Sequence, residues 1–216
     1  MRKRLHAVYF GLGTVFCELC LLYWRLRDAV SKPNTDAILF VAHPDDDTLF
    51  FHSFIKERKP YVVLLFTGWS LKRLPCFFKV MRHYGVRYRA YPTVSAGAYD
   101  LPQRRKATER HVRACFRIKR FSVCATHGKS GEYGHPTHKL VHESVVRHAQ
   151  CPILVTVDEN ELQGNELEPE RVREKVDIFR RLYVTESWVI EELPLWLNHE
   201  KLRECSERRA DNRCAR

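Results

Sequence analysis

Short apolar runs, each closed by polar or glycine-containing residues, alternate with segments of helical spacing along most of the chain. Ala37-Ile-Leu-Phe-Val-Ala42 and Tyr61-Val-Val-Leu-Leu-Phe66 are continuously apolar, the pattern of strands buried on both faces. Val86–Ala90, Phe121–Thr126 and Ile153–Val157 are further predicted strands. The spacing between them predicts helices over Leu49–Arg58, Leu74–Tyr84, Arg104–Phe116, Lys139–Ala149 and Glu170–Tyr183, with Gly85 closing the second as a left-handed C-cap. Strands alternating with helices predict an α/β fold: a single Rossmann-like domain with a mostly parallel sheet and flanking helices. In such folds ligands bind beyond the carboxyl ends of the strands. Two of those ends, after Ala42 and after Thr126, carry dense polar chemistry.

The amino terminus follows a different pattern. Arg2-Lys3-Arg4 precedes a mostly apolar run from Leu5 to Trp24, with Arg25 and Arg27 beyond it. About 20 apolar residues span a bilayer core, so residues 1–30 are expected to form a membrane anchor or interfacial helix, despite Glu18 within the run. The polar, Pro-broken residues 31–36 form a linker, residues 37–197 the folded domain, and residues 198–216 a polar tail expected to fray. The expected location is membrane-associated with a cytoplasmic domain; a soluble cytoplasmic protein is the alternative.

The net charge is +11 among 216 residues and is uneven. Lys72–Arg120 is strongly basic and Asp158–Glu170 acidic. A basic face favours anionic partners, but no nucleic-acid motif accompanies it, so no nucleic-acid partner is expected. The eight cysteines are irregularly spaced; Cys17 and Cys20 form a lone C-x-x-C without the second pair of a zinc site. A reducing compartment is the default reading.

The chemistry lies in two clusters. The first is Ala42-His43-Pro44-Asp45-Asp46-Asp47. Three consecutive carboxylates repel one another unless a cation or hydrogen-bond donors compensate. The second is His127-Gly-Lys-Ser-Gly-Glu132-Tyr133-Gly134-His135-Pro-Thr-His138, followed by His142. Pro136 suits a first helical position, which would set His135 and His138 on one side. Two histidines and one carboxylate, with a position left for water, make a catalytic metal site; zinc suits such ligands and ferrous iron would also fit. Adjacent aspartates can divide the work, one binding metal and the other taking a proton from water.

On these residues the chain resembles the PIG-L, or LmbE-like, family of metal-dependent de-N-acetylases. Its hallmarks are an Ala-His-Pro-Asp-Asp-Glu loop after the first strand and a later Gly-x-Gly-His-Pro-Asp-His segment. Here these stand as Ala42–Asp47 and Glu132–His138, and the resemblance runs from about Ala37 to about Tyr183. It implies a Rossmann-like fold and a zinc-dependent hydrolase that removes an acetyl group from an N-acetylglucosaminyl conjugate, lipid- or phosphate-linked in some members. It also implies His43, Asp46 and His138 as metal ligands and Asp45 as general base. Tyr133 becomes an oxyanion donor, His135 a stabiliser or acid, and Arg73 a substrate contact. Asp47 replaces the usual Glu, and Thr137 replaces an Asp. Tyr183-Val-Thr-Glu186 stands where bacterial members carry Tyr-x-Ser-Gln. Those departures leave a second reading open, a catalytically degenerate protein that binds glycans or anionic lipids.

Overall fold

A computed structural model describes residues 22–24, 26–66, 72–91, 101–158 and 166–205. The five apolar runs are strands β1 (Ala37–Val41), β2 (Tyr61–Leu64), β3 (Tyr88–Ala90), β4 (Val123–Thr126) and β5 (Ile153–Val157). They pair in parallel, and their order across the sheet is β3-β2-β1-β4-β5. β1, β2 and β4 are buried throughout, which explains why they lack alternation. The helices are α1 (Asp46–Arg58), α2 (Arg73–Tyr84), α3 (Leu101–Phe116), α4 (Pro136–His148), α5 (Pro169–Arg181), α6 (Val189–Glu192) and α7 (Pro194–Asn198). Gly85 does cap α2, at φ 66°. The α/β architecture with a mostly parallel sheet is as expected.

β1 is the pivot. The chain moves from β1 to β2 on one side, and β4 returns to its other side. The carboxyl ends of β1 and β4 therefore flank the point where strand order reverses, where α/β folds open a ligand crevice. Both polar clusters begin there.

The fold differs from expectation at both described ends. The polar tail does not fray immediately: Leu202–Glu204 forms β6, antiparallel to β5, and Cys205 N–H donates to Leu154 O at 2.8 Å. Glu200 holds this return in place. Its carboxylate accepts from His52 N–H (2.9 Å) and Ser53 N–H (2.8 Å) and pairs with buried Lys175 at 3.2 Å. Lys175 Nζ also donates to Leu49 O and Trp196 O, so one cation ties α1, α5 and α7 together.

Residues 22–24 and 26–30 are helical and dock on the domain. Trp24 is buried and its indole N–H donates to Ala90 O at 2.8 Å; Arg27 donates to Tyr88 O at 2.7 Å. These are carbonyls of β3, the sheet's edge, so the segment covers an edge that would otherwise offer itself for pairing. Asp28 is buried against Arg89, 2.5 Å away and 2% exposed, and accepts from Tyr61 O–H at 2.8 Å. Residues 22–24 and 26–30 of the expected anchor thus pack on the folded domain. The rest of that run, the Cys17–Cys20 pair and residues 206–216 lie outside the described residues, and among the described residues no helix is long and apolar enough to cross a membrane. Cys76, Cys115, Cys124, Cys151 and Cys205 are buried.

Removing one partner of a buried ion pair costs about 3–5 kcal/mol, because the other charge is left without compensation. Asp28→Ala is expected to lower unfolding free energy by that order, measured by urea denaturation. A loss below about 1 kcal/mol, the worth of an exposed pair, would show that the segment is not part of the domain.

Candidate metal centre

The loop after β1 is bent by its own carboxylates. Asp46 Oδ2 accepts His43 N–H at 2.6 Å, and the backbone carbonyl of Asp45 accepts from Thr48 and Leu49 to start α1. Asp45 sits at φ 121°, a conformation that side chains rarely adopt. Strain of this kind persists where the surroundings over-determine it and gathers at functional sites. Asp46 and Asp47 occupy the first turn of α1, where the helix dipole favours negative charge.

The loop after β4 supplies the facing groups. His127, at the strand end, accepts Ala42 N–H on Nε2 at 2.9 Å, so its proton sits on Nδ1. His142 Nδ1 lies 2.8 Å from His127 O and steadies the same corner. His135 is the N-cap of α4, its Nδ1 accepting Thr137 N–H at 3.2 Å, and Pro136 opens the helix as anticipated. Gly131 is a close approach: a Cβ there would lie 2.6 Å from His135 O.

The two loops meet tightly. His43 Nδ1 lies 3.2 Å from His138 Nε2 and 3.5 Å from Asp46 Oδ2; His138 Nε2 lies 3.4 Å from Asp46 Oδ1. His127 Nε2 is 3.3 Å from Asp46 Oδ2. Among the described residues, two triplets have donor atoms close enough to share a cation: His43, His135 and His138, and Asp46, His127 and His138. His138 belongs to both. His127 has already spent its lone pair on Ala42 N–H, so the groups left to face the gap are His43, His135, His138 and Asp46; two imidazoles and a carboxylate can be drawn from them. Burial lowers the pKa of His43, keeping its imidazole neutral as ligation requires. This donor chemistry, two imidazoles and a carboxylate, fits zinc or ferrous iron.

Asp45 sits beside this set. Its Oδ1 is buried and accepts no hydrogen bond, and Arg73 Nη2 lies 3.6 Å away. Burial pushes its carboxyl well above the usual carboxylate range, the charge of Asp46 adds to this, and Arg73 opposes it. Asp46 moves the other way, because the facing imidazoles outweigh the effect of burial. Burial, aided by His138 and His43, takes His135 down to about 4, so it is a neutral ring. Tyr133 is half exposed beside His135, ring centroids 5.8 Å apart.

All seven residues singled out in the sequence lie in this region. Arg73 is more engaged than a substrate contact needs: Nη2 donates to Pro44 O at 3.1 Å, and Nε meets buried Glu186 at 2.5 Å. It braces the loop of Asp45 from α2. Asp47 is wholly buried and points away from the donor set. It accepts from Tyr183 O–H at 2.5 Å and Thr48 O–H at 3.0 Å; Thr48 in turn contacts Tyr84, and Tyr84 contacts His52. The Tyr183–Glu186 segment thus fastens the loop twice, at Asp47 and at Arg73. His127, Glu132 and Glu186 were given no role by the sequence. The signal for the first two was their place in the second cluster; for Glu186 it was its place at the end of the Tyr183–Glu186 segment.

No protein-family profile matches the sequence, and no curated protein matches it. In structure the chain is similar to a deacetylase triple mutant involved in the teicoplanin biosynthetic pathway, at 13% identity and a TM-score of 0.57, covering 73% of this chain and 86% of that one. It is also similar to the conserved protein TT1542 from Thermus thermophilus, at 14% identity and a TM-score of 0.51, covering 74% and 83%. At such identities the likeness is one of fold.

Tyr183→Phe removes only the hydroxyl that meets Asp47. Leaving a buried acceptor short of its donor costs about 1–3 kcal/mol, and that loss is expected in denaturant unfolding. No measurable loss would mean that Asp47 is held by other means.

Proposed function

We propose that this protein is a metal-dependent de-N-acetylase acting on an N-acetylglucosaminyl conjugate. The observation that carries the reading is the convergence of His43 Nδ1, Asp46 and His138 Nε2 beside a buried Asp45 oxygen that accepts no hydrogen bond. A zinc or ferrous ion held there would acidify water and polarise an amide carbonyl. Asp45, with its raised pKa, is suited to take the proton from the attacking water. As water adds to the carbonyl carbon, negative charge grows on the oxygen. Tyr133 O–H donates to it, and so does His135, whose Nδ1 is occupied by Thr137 N–H and whose proton therefore sits on Nε2. When the carbon–nitrogen bond breaks, Asp45 returns its proton to the leaving nitrogen. Acetate and a free amine result.

The fold shared with a deacetylase supports this reading, and so does the family resemblance of the two loops. The sugar is taken from that resemblance alone. The basic stretch from Lys72 to Arg120 favours a conjugate that carries an anionic group.

Chelation is expected to abolish amine release from N-acetylglucosamine conjugates, and stoichiometric zinc to restore it. Asp45→Ala is expected to lower kcat by about 10²–10⁴-fold, the usual contribution of a general base, while bound metal is retained. Full activity after metal removal, or in the Asp45 variant, would contradict the proposal.

A further inference from the structure

Glu132 is an unusual residue in an unusual place. Its φ is 57°, between Gly131 at 75° and Gly134 at 91°, in a turn whose other left-handed positions are glycines. The left-handed region costs a side-chain-bearing residue roughly 1 kcal/mol relative to glycine. The family pattern that this segment resembles has glycine there. The side chain that replaces it is fully buried, and it turns inward. Glu132 Oε1 lies 2.8 Å from Gly128 N and 3.2 Å from His127 Nδ1, and Oε2 lies 2.6 Å from His138 Nδ1. One carboxylate therefore holds the rings of two histidines whose other nitrogens face Asp46.

We propose that Glu132 is the positioning residue of the metal centre: by accepting the Nδ1 proton of His138 it turns the Nε2 lone pair onto the metal position, and by accepting that of His127 it seats the β4 end against β1. The inference rests on the metal-hydrolase reading and names the residue that makes its donor set competent. An imidazole has one proton to place when neutral, and the partner of one nitrogen fixes what the other can do. Carboxylates placed behind ligand histidines raise their basicity and fix their orientation. The strained backbone at position 132 is the cost of bringing a carboxylate from so short a turn to both rings. Thr137 brings no carboxylate between the two histidines, and among the described residues Glu132 is the acid that contacts His138 Nδ1.

Glu132→Gln tests this at the level of single protons. Gly128 N–H and His127 Nδ1–H both require an acceptor, so the amide oxygen stays with them. The NH₂ group then faces His138 Nδ1 and demands a lone pair there. That forces the His138 proton onto Nε2, where it blocks ligation. Zinc affinity is measured by competition with a chelating dye, in the wild type and in Glu132→Gln and Glu132→Asp, alongside the melting temperature of each metal-free protein. Affinity is expected to fall about 10- to 100-fold in the Gln variant with little change in melting temperature. The Asp variant, one methylene too short to reach both rings, is expected to fall as well. Unchanged affinity in a folded Gln variant would overturn the proposal and leave the metal reading standing. A wild type that takes up no zinc would remove the metal reading itself, and this proposal with it. Should neither variant fold, ¹⁵N NMR of the zinc-loaded wild type decides. A proton on His138 Nδ1 with zinc on Nε2 supports the assignment; zinc on Nδ1 overturns it.

Discussion

Asp46 carries a carboxylate at 2% exposure, at the point where the sheet reverses its strand order. A charge buried there is expensive unless it is surrounded by hydrogen bonds or a cation. Much of the neighbourhood answers that demand. The β1 loop folds back so that His43 N–H meets the carboxylate, and His127 and His138 close from the other loop. Glu132 stands behind the two rings, and the sheet sets the distance because β1 and β4 are hydrogen-bonded neighbours. The constraint is mutual: an anion with imidazoles around it holds the two strand ends together and leaves a gap whose acceptors suit a divalent cation.

Around that centre the structure is braced from the opposite side. Asp47 points into the protein and is fastened by Tyr183, while Arg73 and Glu186 clamp the loop at Asp45. The aspartates at positions 45 to 47 thus have three environments despite being adjacent. Asp45 keeps a buried oxygen without a hydrogen bond, Asp46 faces the imidazoles, and Asp47 is anchored by Tyr183. Further out, Lys175 and Glu200 tie the helices to the β6 return, and Asp28 with Arg89 ties the amino-terminal helix to the β3 edge. Each is a buried charge with a specific partner, and each fixes where an element lies.

The fold was legible because the strands are buried on both faces and read as unbroken apolar runs, and because Gly85 and Pro136 mark helix ends by their own backbone limits. The ligand candidates were legible because they sit in two dense local clusters at strand ends. What could not be read depends on partners distant in the chain. Asp28 and Lys175 look like solvated charges, one beside the arginines that follow the apolar run and one in a charged helix, until Arg89 and Leu49 O are brought to them. Leu202–Glu204 has no strand pattern of its own and forms one because β5 offers an edge. Glu132 and Tyr183 lie on the quoted motifs, yet which atom each would hold is a matter of three-dimensional placement. Nor could the amino-terminal pattern show that Trp24 and Asp28 spend their side chains on the domain.

The central claim is that His43, Asp46 and His138 hold one divalent metal. X-ray absorption of the zinc-loaded protein tests it most directly. One zinc per chain is predicted, with two imidazole nitrogens and oxygen ligands at about 2.0–2.2 Å and no sulfur. A sulfur ligand near about 2.3 Å, or no stoichiometric zinc at all, would contradict it.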